Sequence, residues 1–452
     1  MPKASPKGKK NLAFNAYRRK KMKIKKLTAL AMTTAMCAAT IFGCGGSKDN
    51  NETTAAATQG ATEGATQAAT DAATEEALTA TLKVWCPAED QDTGWMNKML
   101  ENFKAAHPNW NLTFQVETCS EGDAGKLVTQ DPTVAGDVYF FANDQLIDLI
   151  NADAIAKMGG SSADYVKNTN SEKVVATVTQ NGDIYGIPFT DNTWFMYYNK
   201  SIFTEDDVKS LDAMLAKNKV AFPITNTWYV QAFYAAVGGV FCGPNGDNEA
   251  AGIVLGDNAT AATKYIVNLV NNSNFVNDDK GAGLAGLKEG TVGAMFSGTW
   301  DYQNVVDAIG EENVGICQLP TINVDGKECT LKAFAGSKAI GVNPNCQNQK
   351  VAVALAQYLA SEEAQKAHYE MRGIIPCNTT LLATDALQKD ALAQAQANTV
   401  ANTSINQPVN TTFNSRWWSA AGNMASNIYN KVVTLDNADE KTAEFQKALD
   451  GE

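Results

Sequence analysis

The chain has 452 residues, with 37 basic against 49 acidic side chains and a net charge of −12. This charge excludes nonspecific nucleic-acid binding, because phosphate affinity depends on clustered basic residues. His107 and His368 are the only histidines, so a histidine-based zinc site or a two-histidine relay would need both of them. Both lie in helix-like segments, and we expect neither to be catalytic and no cofactor to be bound.

The N-terminal segment has the order of a targeting sequence. Eleven basic residues occur in the first 26 positions, and an uncharged apolar run from Leu27 to Phe42 follows. This order predicts a secretory signal peptide over residues 1–43, with the true start at Met22, because the run is short for a membrane helix of about 20 residues. Cys44 follows Gly43 and resembles a bacterial lipobox cysteine, which implies cleavage before it and acylation, as with palmitate. A soluble secreted protein cut nearby is the alternative.

A low-complexity stretch follows Cys44. Between Asn51 and Ala80, 19 of 30 residues are Ala or Thr and none is aromatic. Such a segment cannot bury enough apolar area to offset its ordering entropy, so residues 44–80 are predicted to form a flexible linker. Without the signal peptide, 26 basic residues (37 − 11) face 49 acidic ones, a charge of −23. The seven later cysteines are odd in number and lack a CxxC pair, so neither a disulfide framework nor a zinc site is predicted.

Strands and helices alternate from Thr81 onward. Period-two patterns predict strands at 81–85, 112–116 and 137–141, and an apolar stripe from Trp95 to Phe103 predicts a helix between the first two. This alternation is typical of a parallel, doubly wound α/β sheet, in which ligands bind beyond the carboxyl ends of the strands. Two polar loops fall at such ends, Glu89 to Asp92 and Asn143-Asp144.

The pattern continues through the second half of the chain. Asn181-Gly182 predicts a hairpin turn that joins a strand at 174–178 to one at 184–187, and a long aromatic strand follows at 194–200. Further strands are predicted at 293–296, 314–319 and 334–342, and helices at 260–270, 301–309, 351–359 and 362–371. The C-terminal part is predicted to be wholly helical.

The ordered set of motifs resembles the extracellular solute-binding proteins of ABC importers, and among them the maltose and maltodextrin binders. It comprises the lipobox, the strand Leu82 to Trp85, the segments 137–144, 185–189 and 198–200, and Gly298-Thr299-Trp300. The resemblance implies an α/β, two-lobed periplasmic-binding-protein-like fold with doubly wound sheets and a hinge crossed two or three times. The lobes would comprise 81–190 plus 340–378 and 195–333 plus 382–452. It also implies a monomer, lipid-anchored on the extracytoplasmic face of the cell membrane, that delivers an oligosaccharide to permease subunits.

Sugar recognition requires aromatic planes for the apolar C–H faces of a pyranose and carboxylates or amides for its hydroxyls. Trp228, Trp300 and Trp418 each lie among polar or small neighbours, where a core aromatic would have apolar company. Trp85, Trp95 and Trp110 are interpreted as packing residues. Trp194, beside the expected hinge, could either pack or touch ligand.

The family's ligand-binding positions fall on residues of both expected lobes. Glu89 and Asp90 match the first-loop acid, and Asn192 falls on a hinge carboxylate, so that an amide replaces a charge. Trp417 is the rival of Trp418, because the two differ by one position. The complete set implied by the resemblance is Glu89, Asp90, Phe141, Asp144, Asn192, Asn226, Trp228, Trp300 and Trp418.

Two other classes of function stay open. A secreted glycoside hydrolase needs two carboxylates about 5 to 9 Å apart, and the sequence alone does not exclude such a pair among 49 acids. No Gly-x-Ser-x-Gly elbow, HExxH motif or P-loop occurs, so we expect a binder and not an enzyme. A surface adhesin without a small ligand is the third class, and a binder of a different oligosaccharide remains possible within the family.

Overall fold

A computed structural model describes residues 76–452. The predicted signal peptide, Cys44 and nearly all of the predicted linker lie outside the described residues. The first strand begins at Leu78, three residues earlier than expected. Within the described part of the chain, no helix is long and apolar enough to cross a membrane.

The first sheet has six strands, in the order β18-β17-β3-β1-β2, with β7 also paired to β17. Strand β1 runs parallel to β2 and β3, whereas β17 is antiparallel to β3 and β7, so the sheet is mixed. Its strands are β1 (Leu78–Cys86), β2 (Trp110–Thr118), β3 (Val138–Ala142), β7 (Ile187–Asn192), β17 (Ala333–Val342) and β18 (Ser404–Asn406). A small sheet beside it contains β4 (Lys157–Met158), β5 (Thr179–Gln180) and β6 (Asp183–Tyr185).

The second sheet has five strands, in the order β12-β9-β13-β8-β14, and its return strand β8 is antiparallel to both neighbours. These strands are β8 (Phe195–Asn199), β9 (Val220–Phe222), β12 (Phe275–Asn277), β13 (Ala294–Ser297) and β14 (Val314–Cys317). Two hairpin pairs complete the strands, β10 (Val240–Phe241) with β11 (Ile253–Val254) and β15 (Thr321–Val324) with β16 (Lys327–Thr330).

Eighteen α-helices are described between residues 76 and 452. In the first half they are α1 (Ala88–Asp92), α2 (Trp95–Ala106), α3 (Ala124–Gln130), α4 (Leu146–Asn151), α5 (Gly160–Thr169), α6 (Glu172–Ala176), α7 (Leu211–Lys217) and α8 (Thr227–Ala236). In the second half they are α9 (Ala259–Asn271), α10 (Ala282–Glu289), α11 (Tyr302–Ile309), α12 (Gln349–Leu359), α13 (Glu362–Arg372), α14 (Thr379–Leu382), α15 (Asp385–Gln388), α16 (Ala391–Asn402), α17 (Thr411–Tyr429) and α18 (Ala438–Asp450).

The hydrophobic cores define two lobes. One core, the first lobe, gathers buried residues from 80–189 and 339–374 around the first sheet. The second sheet is covered on both faces: Met196 and Tyr198 of β8 point into one core, and Phe195 and Tyr197 point into another. This alternation follows from the two-residue period of a strand, and it makes β8 apolar throughout. The result is the two-lobed α/β architecture that the resemblance implies.

The chain passes between the lobes at three places. Phe189 packs in the first-lobe core, whereas Trp194 packs in the second-lobe core. Within β17 the chain returns, since Phe334 packs in the second-lobe core and Ala339 in the first-lobe core. The third change falls after Ile374. Strand β17 therefore belongs to both lobes within ten residues.

Three local elements differ from the sequence-based expectation. The C-terminal part is not wholly helical, because Ser404–Asn406 form strand β18 beside β17. The polar loop at Glu89 to Asp92 is helical, as α1. The segment 174–178 begins inside helix α6, because Ser171 caps that helix by accepting a hydrogen bond from the Val174 amide. The hairpin turn itself is confirmed: Asn181 and Gly182 both have positive φ and join β5 to β6.

Candidate functional site

Two tryptophans of the second lobe form an aromatic pair, which we call the Trp228–Trp300 platform. Their ring centroids lie 6.2 Å apart, and the ring planes are inclined by 39°. Both indoles are half-buried and pack against the same core, so part of each ring stays accessible. An arrangement of this kind offers apolar planes to the C–H face of a sugar.

The platform is held by local contacts on both sides. Asn226 caps α8, with its Oδ1 accepting from the Trp228 amide at 2.9 Å. The Trp228 indole N–H donates to Gln407 Oε1 at 2.9 Å. Trp300 follows β13 in a short 3-10 turn, and a Cβ on Gly298 would overlap its ring. Asn226 thus supports Trp228 through its backbone, and its side chain remains exposed.

Lys338 of β17 connects the platform to the first lobe. Its Nζ lies 5.3 Å from the centroid of the Trp300 ring and 3.4 Å from Glu121 Oε1. Glu121 follows β2 in the first lobe, and only 17% and 14% of the Lys338 and Glu121 side chains are exposed. The strand that crosses between the lobes therefore carries a mostly buried cation against the platform.

Trp418 lies on α17 with part of its ring exposed. Its indole N–H donates to Asn414 Oδ1 at 2.8 Å, and the Asn414 amide donates to Asp148 Oδ1 of the first lobe, also at 2.8 Å. Trp417, by contrast, is fully buried, and its indole N–H donates to the Thr227 carbonyl. Of the two rivals, only Trp418 presents ring surface outside the core.

Asp144 lies at the end of β3, half-buried in a 3-10 turn. Its Oδ1 is buried and has no hydrogen-bond partner. Burial raises the pKa of Asp144 to about 6 and Asp148 contributes in the same direction, while Lys338 acts against them. This carboxyl is a buried acceptor or, when protonated, a donor close to the Lys338 charge.

Asn192 ends β7 and lies opposite Gly336 of β17, while Thr190 lies opposite Lys338. Residues that face each other across a ladder share a face, and alternate residues along a strand share it too. Asn192 is therefore on the same face of the sheet as Lys338. Asp191 is on the other face, and burial raises its pKa to about 6.

Three of the expected residues take no part in the contacts described above. Glu89 is exposed on α1. Asp90 is fully buried and bonded to His368 Nε2 at 2.7 Å and to the Arg372 guanidinium. Burial alone would raise the pKa of Asp90, but His368 and Arg372 outweigh it and hold the pKa below its usual value. Asp90 therefore joins α1 to α13 inside the first lobe.

Phe141 is the third. Its side chain is fully buried in the first-lobe core, 6.1 Å from the Tyr139 ring and against Gly186. Because Ala142 lies opposite Lys338 in the ladder, its neighbour Phe141 points to the opposite face of the sheet. Trp194 is fully buried as well and stacks on Tyr229, so it packs.

Three residues that contact the platform or Trp418 were missed from the sequence: Lys338, Gln407 and Asn414. A lysine inside the apolar stretch 334–342 is a signal that could have been used, because burying an ammonium is costly without a partner. Gln407 and Asn414 carry no such signal, since amides are common in surface loops and helix starts. His368, expected to be noncatalytic, is the buried partner of Asp90.

Comparison with known proteins relates this chain to solute-binding proteins of bacteria. Residues 98–395 match the model of a family described as bacterial extracellular solute-binding proteins. A maltooligosaccharide ABC transporter solute-binding lipoprotein of Streptococcus pneumoniae is 28% identical over 252 residues, which is 52% of this chain. The match spans 58% of that relative's length. A galactooligosaccharide-binding protein of Bacillus subtilis is 26% identical over 233 residues, covering 47% of this chain and 53% of the relative.

Solved structures resemble the chain over a larger share. One structure, described as being with acarbose, is 50% identical and superposes with a TM-score of 0.79, covering 82% of this chain and 98% of the other. A maltodextrin-binding protein from L. casei, solved without ligand, is 26% identical, with a TM-score of 0.73 and coverage of 82% and 99%. Since the family model matches well over half of the chain, this protein belongs to the bacterial extracellular solute-binding proteins.

Proposed function

We propose that this protein is the ligand-binding component of an ABC importer that captures maltooligosaccharides between its two lobes. The observation that carries the proposal is the Trp228–Trp300 platform, which faces the interlobe strand β17 through Lys338. Two indole planes match the repeated apolar faces of an α-glucan. Relatives named for maltooligosaccharide or maltodextrin binding, and a similar structure with acarbose, support this ligand class.

The proposed mechanism is a shift in the population of lobe arrangements. A sugar that contacts both lobes binds the closed arrangement better than the open one, and so favours it. The permease would recognise the closed form. No bond of the sugar is made or broken, so the protein acts as a carrier and not as an enzyme.

The proposed site is narrower than the set implied by the resemblance. It comprises Trp228, Trp300 and Trp418 for stacking, with Asp144, Asn192 and Lys338 for hydroxyls. Asn226 supports Trp228, and Glu89 remains a candidate at the rim. We propose the lobe limits that are expected from the sequence. The first lobe comprises 81–190 plus 340–378, and the second comprises 195–333 plus 382–452.

Calorimetric titration of the full chain with maltotetraose, acarbose and a galactooligosaccharide tests the ligand class. We expect binding of the first two, loss of binding with Trp300→Ala, and recovery of unchanged maltotetraose after long incubation. Preferential binding of the galactooligosaccharide would transfer the proposal to that ligand, for which the B. subtilis relative gives a reason. New reducing ends would indicate a glycoside hydrolase.

Anchoring is a separate part of the proposal. We propose that Cys44 carries the lipid and holds the protein, as a monomer, on the outer face of the cell membrane. A chain with a net charge of −23 is repelled on average by anionic lipid, which favours a lipid anchor as the means of attachment. Labelling of cells with a palmitate analogue should mark the wild-type protein but not Cys44→Ala, which should appear in the medium.

A further inference from the structure

We propose that Lys338 is a ligand contact that determines specificity, donating hydrogen bonds from the interlobe strand to the oxygens of the sugar unit on Trp300. This inference rests on the proposed function. It concerns a residue that neither the aromatic pattern nor the family positions single out.

Burial of Lys338 is the first step of the argument. The side chain is 17% exposed and lies in a strand whose other residues are mainly apolar. Removing an ammonium from water is costly unless acceptors replace the lost hydration. An ammonium carries three N–H donors, and the Lys338 side chain makes one hydrogen bond among the described residues, to Glu121 Oε1 at 3.4 Å, besides its cation–π contact with Trp300. Donor capacity therefore remains at Nζ.

The second step concerns where the free N–H donors of Lys338 lie. Nζ lies over the Trp300 ring, 5.3 Å from its centroid, so a sugar unit that shares this face of the ring would place an oxygen beside the ammonium. The ladder register puts Asn192 on the same face of the sheet. Ring, amide and ammonium thus surround one sugar unit with one apolar plane and two polar groups.

The role of Glu121 is the third step. It belongs to the first lobe and is itself 14% exposed, and its carboxylate lies 3.4 Å from the ammonium, which fixes the position of Nζ. Glu121 is accordingly a positioning residue that acts through Lys338. With Asp144 also near this cation, the local charge disfavours anionic sugars and favours neutral ones, since two carboxylates face one ammonium.

Calorimetry on the full chain tests the role with maltotetraose as the probe. Lys338→Met should weaken binding by about tenfold or more, because a hydrogen bond to a charged group is lost. Lys338→Arg should bind more tightly than Lys338→Met, because the charge and donors are kept, but less tightly than the wild type, because a guanidinium is larger and differs in shape from an ammonium. The matched control is Lys327→Met, at an exposed lysine of β16, which should bind as the wild type does. Thermal unfolding of each variant checks that it is folded.

A double-mutant cycle and deoxy sugars separate direct contact from a structural role. Glu121→Gln should weaken binding less than Lys338→Met, the pair should be non-additive, and Glu121→Asp should restore part of the loss. With monodeoxy maltosides, one analogue should bind wild type and Lys338→Met equally, because it lacks the accepting oxygen.

The opposing outcomes are distinct. Unchanged or tighter binding by Lys338→Met, with wild-type binding intact, overturns the role of Lys338 and leaves the proposed function standing. A loss that is equal for every deoxy analogue also overturns it, since a brace between the lobes would act in that way. No binding of any maltooligosaccharide by the wild-type chain overturns the proposed function and this inference together.

Discussion

Asn414 donates a hydrogen bond to Asp148 across the two lobes, with Nδ2 2.8 Å from Oδ1. The same Asn414 accepts from the Trp418 indole, so the orientation of a half-buried stacking candidate is tied to the other lobe. The hydrogen bond between Asn414 and Asp148 stabilises this arrangement of the two lobes. Through Asn414 it also fixes the orientation of the Trp418 ring.

Asn414→Asp should weaken maltotetraose binding by about two- to fivefold, because two carboxylates would then face each other and the donor to Asp148 is lost. The swapped double variant, Asp148→Asn with Asn414→Asp, should recover binding since it restores one donor and one acceptor. Calorimetry measures both. A double variant no better than Asn414→Asp would show that the interlobe contact is irrelevant to binding.

Trp417 and Trp418 should separate stability from binding. Trp417→Ala removes a fully buried indole and should lower the free energy of unfolding by about 3–5 kcal/mol. Trp418→Ala removes a partly exposed ring and should instead weaken sugar binding by about tenfold, with a small change in stability. Urea unfolding and calorimetry provide the two readouts, and the reverse pattern would exchange the two assignments.

Gly298→Ala should reduce sugar binding strongly while leaving the lobe folded. The added Cβ would overlap the Trp300 ring, so the indole has to leave its position beside Trp228. The nearby Gly290→Ala is not a clean control, because Gly290 has a positive φ. Gly422→Ala is better, since its Cβ would meet only a methyl of Thr227 at ordinary contact distance. Wild-type affinity in Gly298→Ala would show that the ring orientation does not matter.

Asp90→Asn should destabilise the first lobe at neutral pH by about 3–5 kcal/mol, because His368 and Arg372 lose a buried partner. The pKa of Asp90 is lowered in the folded state from 3.8, so its stabilisation is present above about pH 4. It is lost as the pH falls through the folded value. Unfolding curves of wild type and variant should therefore converge at low pH, whereas exposed Asp92→Asn should change little at any pH.

Asp191→Asn should stabilise the protein, whereas Asp90→Asn should destabilise it. Burial raises the pKa of Asp191 from 3.8 to about 6, so stability is lost as the pH rises from about 4 to 6, and the full cost of the buried carboxylate is present above that range. We expect the variant to be more stable than wild type at pH 8 by about 1–2 kcal/mol. The difference should shrink as the pH falls from 6 to 4. A constant difference across this range would show that the carboxyl does not titrate with a raised pKa.

Much of the fold was predictable because its elements are locally encoded. The period-two runs of β1, β2 and β3 and the apolar stripe of α2 lie where the sequence predicts them. Val174 and Val175 favoured a strand through β-branching, but the Ser171 cap makes that segment helical. The helix signal came from the single residue Ser171, and in the sequence pattern the two valines that follow it outweighed this signal.

The candidate site was predictable only in part. Trp228 and Trp300 were recognisable from their polar neighbours, and the structure brings them together. The burial of Phe141 was not, because the face on which it lies is set by pairing with β17, nearly 200 residues later. Asp90 was assigned from its loop position, whereas its partners His368 and Arg372 come from a distant helix. Contacts between residues far apart in the sequence determine both the burial of Phe141 and the partners of Asp90. Local sequence patterns carry no information about such contacts.

Strand β17 also constrains the order in which the chain can assemble. The Ser337 amide of β17 donates to the Asn143 side chain, 194 residues earlier. During synthesis, β3 therefore emerges long before the strand that covers its edge, and the second-lobe segments 194–334 come in between. Contacts of such sequence separation make folding slow. The free edge of β3 therefore stays open until β17 has been made, so the first lobe cannot be completed before most of the second lobe has been synthesised.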